Sequence, residues 1–545
     1  MMMVLRVPTR PFPDQKPGTA GLRRPVSVFA QARYLENFLQ AVFDTCPELK
    51  GSVLVVGGDG RYYNREAIAI LLRMAAANGV SKTVVGQAGL LSTPATSLLI
   101  PQVGAAGGFI LTASHNPGGP DGDFGIKFNV ANGGQASETL TDRIYARTRN
   151  IDRYLILKDE TPIDIDHVGR HQLDGMQIEI VDPVRHYADS MQRLFNFDRI
   201  RALLHEPSFQ MRFDALHAVT GPYALELFER RLGARPGSIL NARPLPDFGG
   251  GHPDPNPHDA ARLVRSFMSD DAPSFGAASD GDGDRNMILG RGVVVSPGDS
   301  LAVLAANAHL IPGYQDGLAG VARSMPTSQA IDRVAKQLGI PCYETPTGWR
   351  FFCNLLDAGK ITLCGEESFG TSSDHAREKD GLWAVLFWLN LLAVRKQSVQ
   401  EILTQHWQEY GRDFFQREDY FIADADAAQA LMKGLAAQLP ALTGHRADGL
   451  NIQSADSFSY RDPVDGSESH DQGLRIITTE AERIVYRLSG TGTRGATLRV
   501  YLERYEPDVT KQSVPASVAL AELSRAARSI AQLGKLGLER PDSVT

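Results

Sequence analysis

Residues 52–87 read SVLVVGGDGRYYNREAIAILLRMAAANGVSKTVVGQ, and this stretch decides the fold class. The apolar run VLVVGG has the length of a strand buried on both faces, and its glycines suit a tight turn. EAIAILLRMAAANG then spaces apolar residues three and four apart, the period of an amphipathic helix, and closes on Asn78-Gly79. A second apolar run, TVVGQ, completes a β-α-β unit. The same rhythm returns in FQMRFDALHAVTGPYALELFERRLGA (209–234) and GVARSMPTSQAIDRVAKQLGIPCYE (320–344). It continues from TGWRFFCNLLDAG (347–359) into KITLCG (360–365). Recurring strand, loop and helix predict separate α/β units with mostly parallel, covered sheets rather than a solenoid.

The stretch after about His406 is different. A helix-rich segment, DADAAQALMKGLAAQL, precedes SFSYRDP, LRIITTE, RIVYRLSG and TLRVYLERYE, which alternate like strands and predict an α+β terminal domain. At ~100 to 200 residues per domain, 545 residues suit three or four domains. The divisions expected are 1–185, 186–305, 306–410 and 411–545.

Composition narrows the function. Apolar residues make up 43% and charged residues 22%, which excludes wholesale disorder, and a net charge of −7 supplies no basic field for nucleic acid or an anionic membrane. An anionic ligand therefore needs a local basic pocket. MMMVLRVPTRPFPDQKPG lacks the apolar core of a secretory leader, so the mature chain is expected to begin here. The longest apolar stretch, Leu382 to Val394, is broken by Asn390 and falls short of the ~20 residues that span a bilayer, which predicts a buried helix. Cys46, Cys342, Cys353 and Cys364 form no CxxC pair and no disulfide framework, as expected of a cytoplasmic protein.

Three loops carry chemistry. In SDGDGDRNMILG (279–290), Asp280, Asp282 and Asp284 alternate with glycine between two apolar runs, so three carboxylates can converge on one hard cation. Calcium of the EF-hand kind is disfavoured, because the loop's sixth and twelfth places hold Arg285 and Arg291 rather than glycine and glutamate. In GGFILTASHNPGGPDGDFGIKF (107–128), an apolar run ends in a turn that exposes the Ser114 hydroxyl and backbone N–H groups, a setting for phosphate, with His115 and Lys127 as candidate proton-transfer or charge-stabilising groups. YRLSGTGTRGATLRVY (486–501) offers Arg487, Ser489, Thr491 and Arg499 around glycines, the parts of a phosphate cradle. Glu366 and Ser368 in CGEESFG suit sugar hydroxyls, and Lys379 follows in DHAREKDGLW; a surface salt-bridge network has the same composition. GGDGRYY reads as a tight structural turn, since the third glycine of a dinucleotide fingerprint would fall at Tyr63. No P-loop, GxSxG or SxxK occurs.

In order along the chain, DQKPGTAGLR, VVGGDGRYYNREAI, ILTASHNPGGPDGDFGIKFN, DGDGDRNMILG, ARSMPTS, ETPTGWRFF, CGEESFGTSSDHAREKDGLWAVL and RLSGTGTRGATLR resemble the phosphoglucomutases of the α-D-phosphohexomutase superfamily, in their long animal and plant form. The resemblance implies four domains around a central cleft, three related mixed α/β domains and a C-terminal α+β domain. It implies a phosphorylated Ser114 and Mg²⁺ held by Asp280, Asp282, Asp284 and the Ser114 phosphate. Arg23, Lys127 and Arg285 would line the transfer site with His115. Thr347 and Gly348 would orient the sugar, Glu366 and Ser368 would bind its hydroxyls, and Lys379 would help bind its phosphate. Arg487, Ser489, Thr491 and Arg499 would grip the non-reacting phosphate. The implied reaction interconverts glucose 1-phosphate and glucose 6-phosphate through glucose 1,6-bisphosphate. A related hexose-phosphate mutase, a bisphosphate synthase or a non-catalytic regulatory relative are the alternatives; oligomeric state is left open. Ala20 and Arg494 depart from the family pattern without removing a residue the reaction needs.

Overall fold

The computed structural model describes residues 3–18, 20–489 and 495–545. The β-α-β stretch that begins at Ser52 forms strand Val53–Gly58, helix Asn64–Ala77 and strand Lys82–Leu90. These sit at the centre of a seven-stranded sheet, where Gly107–Leu111, Val53–Gly58, Lys82–Leu90 and Met176–Val181 run parallel. Alternation sorts the side chains. Leu54 and Val56 pack under helices Tyr34–Thr45 and Asn64–Ala77, while Val55 faces the opposite core with Leu98 and Leu99.

The sheets are more mixed than the rhythm predicts. Leu22–Pro25 and Asp123–Val130 are antiparallel additions to the first sheet, and the next two sheets each join three parallel strands to antiparallel neighbours. Asp123–Val130, Asn286–Gly290 and Gly370–Ser373 each fold back on the strand before them as a hairpin, and the three connections carry site residues: 112–122, 280–285 and 367–369.

Helix Gly381–Arg395 is the predicted buried helix. Its residues from Gly381 to Ala393 are all buried, and it lies in a core that continues from Val55 of the first domain through Phe213 to Val321 and Leu363. Its single polar interruption is half met: the Asn390 side-chain oxygen accepts the Asn196 N–H at 2.8 Å, while its amide nitrogen is buried without a hydrogen-bond partner. Among the described residues no helix is long and apolar enough to cross a membrane.

The terminal domain has its own core around Tyr420, Leu435, Ile476 and Leu498, beneath a seven-stranded sheet whose paired strands are all antiparallel. One long strand, Arg412–Ile422, escaped the sequence reading, because RDFFQREDYFI does not alternate cleanly. SFSYRDP yields only the last residue of strand Leu450–Ser457 and a fragment, Tyr460–Arg461. Against the third domain this unit packs Val485 and Tyr501 on Met325 and Phe351. Buried Arg483 adds directed bonds to the Met325 and Thr327 carbonyls, both 2.6 Å, and to Glu503 at 2.8 Å.

Candidate active site

Ser114 stands one turn beyond strand Gly107–Leu111, 1% exposed, with φ +52°. A non-glycine residue holds that left-handed conformation only where its surroundings over-determine it. They do so here. The Ser114 N–H donates to Thr112 Oγ1 at 2.7 Å, and the Thr112 hydroxyl donates to Asp59 at 2.5 Å. Asp59 is ion-paired to Arg61 at 2.9 Å, both side chains fully buried, and Arg61 donates to the Ser114 carbonyl at 2.7 Å and the Asp123 carbonyl at 2.8 Å. A Cβ at Gly281 would lie 2.3 Å from the Ser114 carbonyl oxygen, so only glycine lets the aspartate loop approach.

GGDGRYY is therefore more than the turn the sequence suggested: it is the scaffold of Ser114. The signal that could have revealed this is an Asp-x-Arg pair at the end of a fully apolar strand, where unpaired charges would not be tolerated. We expect Asp59→Asn to destabilise the protein by about 3 kcal/mol, because it leaves the Arg61 charge buried without its partner. Denaturant unfolding should show the loss and turnover should fall with it; a wild-type midpoint would refute the scaffold role.

The second loop joins strand Phe275–Ser279 to strand Asn286–Gly290 and brings ligand-capable oxygens of Asp280, Asp282 and Asp284 within 4.8 Å of one another. All three residues are buried. The Ser114 hydroxyl donates to Asp280 at 2.8 Å. Asp282 Oδ2 accepts from Lys127 at 2.8 Å and from Thr93 at 2.7 Å, a contact the sequence reading missed. Asp284 faces Lys379 at 3.3 Å and Lys127 at 3.8 Å. Burial and the charges of Asp284 and Asp282 push Asp280 well above the ordinary carboxylate range. Against burial, Lys127 holds Asp282 far below that range, and Asp282 and Asp284 keep Lys127 protonated. Oδ1 of Asp282 and Oδ1 of Asp284 are buried without a hydrogen-bond partner. Hard oxygen donors left over in this way fit a divalent cation. Among the described residues a second cluster of metal-capable groups, His252, Asp254 and Asp259, differs in being satisfied: Asp254 pairs with Arg285, and Asp259 accepts from His252, His258 and Asn256.

Further cations surround the loop. Arg285 bonds Asp254 at 3.1 Å and lies 4.0 Å from both Asp280 and Asp284. Arg23, on strand Leu22–Pro25, has Nε and Nη1 buried without partners, and burial lowers its pKa despite Asp282. His115 Nδ1 is 3.4 Å from Ser114 Oγ; burial, then Arg285 and Arg23, holds the ring neutral.

From the third domain, Glu366 accepts the Gly348 N–H at 3.0 Å and lies 4.0 Å from Lys379. Gly348 has φ +133°, and the buried Thr347 hydroxyl has no partner. The Lys379 stem runs where a Cβ at Gly370 would stand, 2.2 Å away. Ser368 is half-buried in the same loop. Glu367 turns the other way, accepting the Tyr501 hydroxyl at 2.8 Å, and Arg417, Arg499 and Arg487 outweigh burial to hold it below its ordinary value. Glu378, fully buried, accepts from Asn129 and Gln135 of the first domain, both 3.0 Å, so the loop that carries Lys379 is anchored to the domain that carries Lys127.

In the terminal domain Arg487 and Arg499 are register partners on adjacent strands, with Ser489 half-buried at the strand end. Arg285 lies near enough to act on Arg499, and Arg499 on His115, so the Arg499 side chain comes to the same cleft. Thr491 and Arg494 lie outside the described residues.

Four domains thus deliver a buried serine, a carboxylate triad and converging cations to one place. The profiles for alpha/beta/alpha domains I, II and III of phosphoglucomutase/phosphomannomutase match residues 14–155, 185–292 and 297–410. The chain belongs to that family. Residues 412–542 match the C-terminal domain of phosphoglucomutase-1. The family's members similar to this chain include a phosphoglucomutase of Rhizobium radiobacter, 56% identical with 97% of each chain covered. Human phosphoglucomutase-1 is 50% identical over the whole of both chains. Among solved structures, the open form of the Paramecium phosphoglucomutase pp63/parafusin superposes with a TM-score of 0.91 at 47% identity, covering 99% of each chain.

Proposed function

We propose that this chain interconverts α-D-glucose 1-phosphate and α-D-glucose 6-phosphate through a phosphoserine at Ser114 and a glucose 1,6-bisphosphate intermediate. The observation that carries the proposal is the meeting of Ser114 with the Asp280, Asp282 and Asp284 carboxylates, at the focus of Arg23, Lys127, Arg285 and Lys379. Full-length identity of about half to enzymes named phosphoglucomutase supports it. The divisions near residues 185, 305 and 410 are part of the same proposal, as is a cytoplasmic site of action, in keeping with four free cysteines.

In the first half-reaction the Ser114 phosphoryl group passes to the free hydroxyl of the hexose monophosphate. A P–O bond to the serine breaks, a P–O bond to the sugar forms, the sugar hydroxyl gives up its proton and Ser114 regains one. The bisphosphate then turns end over end and returns its other phosphoryl group to Ser114. Lys127, Arg23 and Arg285 would draw in the charge of the moving group, and neutral His115 would accept a hydrogen bond beside it. Glu366 and Ser368 would bind sugar hydroxyls in either orientation, with Thr347 and Gly348 shaping the loop and Lys379 reaching the sugar's phosphate. Arg487, Ser489, Thr491 and Arg499 would hold the phosphate that is not reacting. Asp280, Asp282, Asp284 and the Ser114 phosphate would hold Mg²⁺, which neutralises the charge that builds up on the transferred group.

The test is conversion of glucose 1-phosphate to glucose 6-phosphate with Mg²⁺ and a trace of glucose 1,6-bisphosphate, run beside mannose 1-phosphate. We expect turnover on glucose that is lost with a chelator and restored by Mg²⁺, and a lower kcat/KM on mannose. Equal efficiency on the two sugars would overturn the specificity, and chelator-resistant turnover would overturn the metal assignment.

A further inference from the structure

Strand Arg412–Ile422 lies between two neighbours. On one side strand Ala496–Glu506 pairs with it along its whole length and puts Arg499 opposite Asp419. On the other side the short strand Ser543–Val544 puts Ser543 opposite Asp419. This short segment is well tied. The Asp542 N–H donates to the Asp419 carbonyl at 2.8 Å, and Arg417 and Thr545 exchange N–H donors and carbonyls at 2.7 and 2.9 Å. The Asp542 carboxylate accepts the Phe421 N–H at 2.6 Å. Without residues 542–545, this part of the strand would be an open edge, and open edges fray and twist.

The side chains at this point bear on the cleft. The Asp419 carboxylate lies 3.0 Å from Arg417 Nε and 3.7 Å from Arg499 Nε. All three side chains are largely buried, at 14%, 11% and 20% exposure respectively. Yet Asp419 Oδ1, Arg417 Nε and Arg499 Nε have no well-directed hydrogen bond. The two ion pairs are thus kept by where the strands stand rather than by directional bonds between the side chains. Whatever moves strand 412–422 moves the counter-charge of Arg499.

We propose that residues 542–545 and Asp419 are positioning residues for phosphate binding: the segment pins strand 412–422, and Asp419 so pinned sets the guanidinium of Arg499 toward the cleft. The ligand concerned is the phosphate group of a sugar phosphate. The inference rests on the reading of Arg499 as a ligand of the non-reacting phosphate. Asp419 is a useful probe because charge and geometry predict opposite signs. Removing a carboxylate beside a phosphate site should tighten phosphate binding by Coulomb's law, so a loss of affinity in Asp419→Asn reports misplacement.

The experiment compares the full chain, a chain lacking residues 542–545, Asp419→Asn and the double variant. Affinity for inorganic phosphate is measured calorimetrically without divalent metal, and KM and kcat are measured with glucose 1-phosphate. We expect the deletion and Asp419→Asn each to raise the phosphate Kd and KM about tenfold, as for one misdirected charge-assisted hydrogen bond, with kcat changed less than about twofold. The double variant should be no worse than Asp419→Asn alone. Thr545→Pro, which removes one of the pinning N–H donors, gives a milder variant where the deletion does not fold, and a rise in both constants is expected there too. Unchanged phosphate affinity in the strand variants, tighter binding by Asp419→Asn, additive losses, or a wild type that binds no phosphate would overturn the proposal. A wild type that binds phosphate but turns over no glucose phosphate would instead overturn the function reading, while the phosphate affinities still decide this one.

Discussion

Ser114→Ala is expected to abolish conversion of glucose 1-phosphate to glucose 6-phosphate, with residual turnover at least about four orders of magnitude below wild type. Asp280 accepts from this hydroxyl, and neutral His115 touches the same oxygen at 3.4 Å. The variant should fold. Alanine carries no greater penalty than serine at φ +52°, and the bonds that fix this backbone run through the Ser114 N–H and carbonyl, which alanine keeps. Two measurements check the prediction: a coupled assay for glucose 6-phosphate, and intact mass after incubation with glucose 1,6-bisphosphate, where wild type should gain a phosphoryl group and the variant should not. Near-normal turnover in a folded variant would remove Ser114 from the mechanism.

Asp282→Asn is expected to lower kcat at least about a thousandfold and to raise the Mg²⁺ concentration needed for half-maximal rate. In the structure Lys127 holds Asp282 ionised against burial, with Lys127 and Thr93 on Oδ2 and a buried, partnerless Oδ1. Asparagine keeps the shape and one acceptor, enough for the Thr93 and Lys127 contacts, but removes the charge that would bind the cation. The fold should therefore survive, with Asp284 at 3.8 Å still facing Lys127. Circular dichroism and a Mg²⁺ titration of the rate separate lost metal binding from lost structure. Wild-type turnover at ordinary Mg²⁺ would contradict the metal assignment.

The α/β character of the first three domains was legible because a buried parallel strand and an amphipathic helix leave different periods in the sequence, as residues 53–58 and 64–77 show. The aspartate triad was legible for a local reason: all three carboxylates lie within five residues of one loop. Other parts were hidden because their meaning is non-local. Asp59 and Arg61 look like turn residues until residues 112 and 114 are folded against them. Glu378 looks like a surface charge until Asn129 and Gln135 meet it from another domain. Glu366 and Glu367 are neighbours of the same type, but successive strand-end side chains point oppositely, so one meets the Gly348 N–H and the other the arginines and Tyr501 of the terminal domain.

By itself, the sequence determined the strand–helix rhythm of the first three domains, which loop gathers carboxylates, and, through its ordered motifs, the family. Only the tertiary structure decided which charges are partners. Burial removes the water that would otherwise solvate each ion alone, so a side chain in the cleft is defined by what faces it. For Asp419, Arg499 and residues 542–545, those partners are brought together from segments far apart in the chain.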